Sequence, residues 1–95
     1  MRHDTAQIRS VARKVQKCAD TVSDVNQGEV TALRRRIPGE FQGSAAETLM
    51  EKLEELGGDL RKISAGLETI SGELMAYARR LELADQESKR VIDQK

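Results

Sequence analysis

From Ala46 to Ala84 the apolar residues recur at alternating steps of three and four without a miss. They are Ala46, Leu49, Leu53, Leu56, Leu60, Ile63, Leu67, Ile70, Leu74, Tyr77, Leu81 and Ala84. That spacing holds one narrow stripe on a long helix and carries a coiled-coil period. A similar stripe runs through the first half as Ile8, Val11, Val15, Cys18, Val22 and Val25. Between the two lies the one breaker-rich segment, Ile37-Pro38-Gly39-Glu40-Phe41-Gln42-Gly43. The chain therefore reads as all-α, an antiparallel two-helix hairpin forming a single domain over 1–95.

Helix one is expected from Asp4 or Thr5, both good caps, to about Arg36, because Pro38 disfavours helical geometry at Ile37. The turn then covers 37–43. Helix two is expected over about 44–91, with Ser44 capping and Glu47 completing a capping box. Asn26-Gln27-Gly28 is a weak point in helix one, where the apolar spacing falters at Glu29. Gly57-Gly58, Gly66 and Gly72 weaken helix two, and mark a bend or a place where another backbone comes close.

The chain has 34% charged residues, and Phe41 and Tyr77 are its only aromatics. Such a composition suits long amphipathic helices and does not build a thick core around a catalytic cavity. The net charge is zero but unevenly spread. Up to Pro38 there are eight basic and four acidic residues; from Gly39 there are eight basic and twelve acidic. In a hairpin, Arg34, Arg35 and Arg36 come beside Glu47, Glu51, Glu54 and Glu55. Such exposed pairs select register more than they stabilise, at about 0–1 kcal/mol each.

Enzyme chemistry finds little to work with. The single Cys18 and single His3 are far apart and offer neither a metal cluster nor a Cys/His dyad. Cys18, on the stripe, reads as a small core residue. The glutamates read as solvated helix surface, and Gly57-Gly58 lacks the spacing of a phosphate loop. One arginine triplet facing a Glu-rich neighbour does not point to nucleic acid. No apolar run spans a membrane, and the N-terminus carries no apolar secretory stretch. The expectation is thus a non-enzymatic protein without catalytic, cofactor-binding or metal residues, folded in the cytoplasm.

A two-helix hairpin leaves apolar edges in water, and Met50, Met75, Leu83 and Ile92 widen that face of helix two. Association into a four-helix bundle follows, as a homodimer or as a heterodimer with another small helical hairpin. The expected interaction seam is Leu49, Leu53, Leu56, Leu60, Ile63, Leu67, Ile70 and Leu74.

Phe41-Gln42-Gly43-Ser44-Ala45-Ala46 is an aromatic-x-Gly turn opening a helix of small residues, with Phe41 placed to plug the hairpin end and Gly43 free to take positive φ. This turn near residue 41, in a chain of 95 residues with a helix on each side, resembles the WXG family of small type VII secretion proteins. Phe41 stands where that family has Trp. The family also carries a Tyr followed four residues later by an acid; here Tyr77 meets Leu81 at that spacing, and Asp85 is the better-placed acid. The resemblance implies a secretion-signal role for Tyr77 and Asp85. It also implies partners in the secretion machinery, and either export by the leaderless type VII route or escort of an LXG-type toxin. The alternative is a cytoplasmic coiled-coil adaptor unrelated to secretion.

Overall fold

The computed structural model describes residues 4–93, with the backbone alone for 91–93. Four helical segments follow one another: α1 (Thr5–Val25), a π-helical turn (Asn26–Val30), α2 (Thr31–Glu40) and α3 (Ser44–Asp93). The first three form one continuous arm, and α3 returns antiparallel beside it. The hairpin measures 79 × 15 × 15 Å, close to the ~75 Å that a 50-residue helix spans at 1.5 Å per residue. His3 and the side chain of Ile92 lie outside the described residues.

Asp4 caps α1, its Oδ1 accepting from the Gln7 amide at 3.0 Å. The helix then continues through Pro38 to Glu40, past the expected end at Arg36. Proline removes one backbone donor and disfavours helix at the preceding residue. Ile37 is nevertheless only 7% exposed against α3, and its carbonyl accepts the Phe41 amide at 2.8 Å. Packing of Ile37 offsets the local preference, and the connection shrinks to Phe41-Gln42-Gly43. Gly43 has φ 74° and gives its carbonyl to the Glu47 amide at 3.2 Å. Gly43 thus stands in the cap position, and Ser44 is already the first helical residue. The expected capping box of Ser44 and Glu47 therefore does not form, since glycine has no side chain to cap with.

The seam is built from small residues. Ala12 and Ala19 on α1 and Ser64, Ser71 and Ala78 on α3 are buried, as is Gly57. They recur every seven residues on each helix. Across the seam Ser71 Oγ donates to the Ala12 carbonyl at 2.8 Å and Ser64 Oγ to the Ala19 carbonyl at 2.9 Å. One heptad further on, Asn26 Nδ2 donates to the Gly57 carbonyl at 3.3 Å. A serine hydroxyl reaches a neighbour's backbone only when the helices approach closely. A Cβ at Gly57 would stand 3.1 Å from Asn26 Oδ1, so any larger residue there would make the Asn26 side chain give way by a few tenths of an ångström. Between these layers lie half-buried large residues: Ile8, Val15 and Val22 from α1, and Leu53, Leu60, Leu67, Leu74 and Leu81 from α3.

The π turn repairs the register. Seven residues after Val22 comes Glu29, a charge that the seam cannot take. The extra residue in the wide turn rotates Glu29 outward and brings Val30, 4% exposed, into the seam. Ile37 follows it one heptad later.

Candidate functional site

Among the described residues no large side chain is fully buried, while ten large apolar ones are 39% to 54% exposed. Eight of the ten obey one rule: each directly precedes a seam position. On the first arm Val11 precedes Ala12, Val25 precedes Asn26 and Leu33 precedes Arg34. On α3 Leu49 precedes Met50, Leu56 precedes Gly57, Ile63 precedes Ser64, Ile70 precedes Ser71 and Tyr77 precedes Ala78. Cys18, before Ala19, is exposed in the same row, which corrects its reading as a core residue. In antiparallel helices the residues flanking the seam on the same side by name lie on the same broad side of the pair. The two rows therefore form one apolar band along the hairpin.

The expected interaction seam thus divides in two. Leu53, Leu60, Leu67 and Leu74 turn toward the first arm within the hairpin, whereas Leu49, Leu56, Ile63 and Ile70 face outward on the band. Sequence reasoning missed the small residues that separate these rows. Their sevenfold spacing was the available signal, but serine and glycine look like surface in a hydropathy pattern.

The opposite side of the hairpin is largely polar, made by the residues that follow each large seam residue, with Met75 its apolar exception. Arg9 and Glu82 join there through two hydrogen bonds, Nε to Oε1 at 3.1 Å and Nη2 to Oε2 at 2.9 Å. The bond from Arg9, with a second from Thr5, holds the Glu82 carboxyl below the usual carboxylate range, and Glu82 raises the Arg9 guanidinium in return. This clamp closes the open end of the hairpin, and α3 runs on past it. Of the arginine triplet, Arg34 Nη2 meets Glu54 Oε1 at 3.5 Å, while Arg36 pairs with Glu40 of its own helix at 2.7 Å.

At the turn, Phe41 is extended and 45% exposed, with Gly43 two residues on. Residues 1–86 match the family described as proteins of 100 residues with WXG. The chain belongs to the WXG100 family. Proteins of this family are small, helical and non-enzymatic, and they are secreted by the type VII route. No curated protein and no solved structure matches the chain. The matched span includes the turn Phe41-Gln42-Gly43.

Tyr77 and Asp85 are not brought together. Tyr77 lies on the band with the Arg80 guanidinium 5.9 Å from its ring centre. Asp85 is half-buried and continues the small-residue row one heptad after Ala78. Leu81, four residues after Tyr77, turns into the seam. No helix among the described residues is long and apolar enough to cross a membrane.

Proposed function

We propose that this WXG100 protein works as a dimer, its apolar band closed against a second small helical hairpin to give a four-helix bundle. In that form it escorts an LXG-type toxin to the type VII secretion machinery. The observation that carries the association is the band itself. A regular row of large apolar side chains on one side of a thin hairpin exceeds the scattered exposure normal for a monomer. A core of alanines and serines gives the lone hairpin little apolar burial, so association supplies what the monomer lacks.

The escort role, rather than self-export, is supported by Leu81 and Asp85. Leu81 takes the place of the family's acid and is spent on hairpin packing. The nearest acid on the expected face lies in the seam row rather than beside Tyr77. A chain without a displayed Tyr–acid pair would depend on a partner for the signal. The protein carries out no reaction of its own in this reading, and needs no cofactor, metal or nucleic acid.

Light scattering coupled to size exclusion tests the association. Wild type should run at twice the 10.6 kDa chain mass, alone or with its co-expressed partner. Ile63→Asp or Ile70→Asp, which put a charge on the band but not in the hairpin seam, should return it to monomer with helicity intact. A wild type that stays monomeric at high micromolar concentration and co-purifies with no hairpin partner or toxin would sink the proposal.

A further inference from the structure

On the polar side of the hairpin the π turn stands against α3 and leaves a cleft of about 360 Å³. Asn26, Thr31 and Arg34 line it from the first arm, and Arg61, Ser64 and Glu68 from α3. We propose that this cleft is a recognition notch for a carboxylate, the Asp or Glu side chain of a partner protein. It lies on the side away from the apolar band, so the inference does not rest on the dimer.

Three observations meet here. Arg34 Nε is buried with no acceptor among the described residues, and the guanidinium's one ionic contact, to Glu54, is a long 3.5 Å. A buried guanidinium donor without an acceptor is a costly arrangement that an incoming oxygen would relieve. Arg61 makes no ion pair among the described residues. Its guanidinium lies over the glycine pair: a Cβ at Gly57 would be 3.7 Å from Nη1, and one at Gly58 3.8 Å from Nη2. The two glycines thus leave room for a flat fork beside the cleft. The third observation is the π turn. Thr31 Oγ1 donates to the Asn26 carbonyl at 3.1 Å and Asn26 Nδ2 to Gly57 at 3.3 Å, which fixes the wall between the two arginines. Single π turns inside helices recur at functional sites.

The chemistry selects a monoanion. Planar guanidinium forks match carboxylate oxygens in pairs. Glu54 meets Arg34 and Glu68 lines the cleft, so the site offers little net positive charge to a dianionic phosphate, and its paired geometry matches a single carboxylate. An incoming carboxylate takes over the bond that Glu54 makes poorly, and Arg61 swings from its glycine seat to close on it.

Side-chain NMR of the full chain tests this through the Nε–Hε signals of Arg34 and Arg61. Sodium acetate, inorganic phosphate and sodium chloride are titrated at equal ionic strength. Acetate should move both arginine signals together along one saturating curve, with phosphate weaker and chloride without a curve. In Arg61→Gln, checked for unchanged helicity, the Arg34 response should fall severalfold. In Glu68→Gln, acetate should bind roughly threefold tighter through loss of a neighbouring negative charge. Equal responses to acetate and chloride, or a still Arg34 signal, would overturn the notch. Tighter binding of phosphate than of acetate would overturn the carboxylate assignment, and so would a Glu68→Gln variant that binds acetate no better than wild type.

Discussion

Ser64 donates its hydroxyl to the backbone carbonyl of Ala19 across the hairpin at 2.9 Å, and both residues are buried. The pair sets the distance between the helices, because nothing larger than serine fits where a side chain already touches the opposite backbone. Ser64→Ala removes the bond but keeps the approach, and should cost about 1 kcal/mol in urea unfolding. Ser64→Leu must push the helices apart, and should cost about 1–3 kcal/mol or more. A Ser64→Leu variant as stable as wild type would show that the seam is not set by small residues.

The π turn makes a second expectation specific. Deleting Glu29 removes the extra residue, lets the helix run on regularly, and leaves Val30, Leu33 and Ile37 on their present faces. That deletion should fold with stability within about 1 kcal/mol of wild type. Deleting Asp20, equally exposed but inside regular α1, turns every seam residue on one side of the gap by about 100°. It should lose most cooperative unfolding. Equal damage from both deletions would count against a register role for the turn.

These two elements also show what the sequence could and could not reveal. The hairpin, its turn and the weak point at Asn26-Gln27-Gly28 were legible, because long periodic stripes and breaker residues are strong local signals. The phase of the seam was not. A three-four stripe of large residues fits two adjacent rows of a heptad equally well, and hydropathy favours the bulkier row. The choice was made by packing: Ala12 and Ala19 can lie against Ser71 and Ser64, whereas Val11 and Ile70 are too large for so close an approach. For the same reason hydropathy alone places Cys18 in the core and groups Leu56, Ile63 and Ile70 in one seam with Leu60 and Leu67. Helix end signals also yielded to packing at Pro38, where Ile37 is held helical by its burial.

The Arg9–Glu82 clamp carries a pH dependence of known sign. The Glu82 carboxyl is held below its unfolded-state value, first by the hydrogen bond from Arg9 and then by that from Thr5. Its stabilisation is therefore fully present above the ordinary carboxylate range and is lost as pH falls through the lowered folded-state value. Both side chains are partly exposed, 34% and 39%, so the effect is modest and weakens with salt. Thermal unfolding of wild type and Glu82→Gln should differ at pH 7 in low salt and converge in acid. A gap that is constant across the whole titration would remove the clamp from the pH response.

Tyr77 and Asp85 decide whether this chain displays a secretion signal or relies on a partner for one. Eight residues along α3 separate them by about 80° around the helix, Tyr77 on the apolar band and Asp85 in the row of Ala78. Tyr77 is 47% exposed, shielded by Arg80, and sits where a band partner would cover it. If the protein acts as an escort, Asp85→Ala should leave secretion of the toxin at wild-type levels, because the carboxylate is not part of a recognised pair. Tyr77→Ala should weaken the dimer severalfold by removing a large ring from the band, and Tyr77→Phe should restore it. Export would then follow dimer affinity across the Tyr77 variants. Loss of export in Asp85→Ala, with partner binding unchanged by light scattering, would overturn the escort reading and assign the signal to this chain.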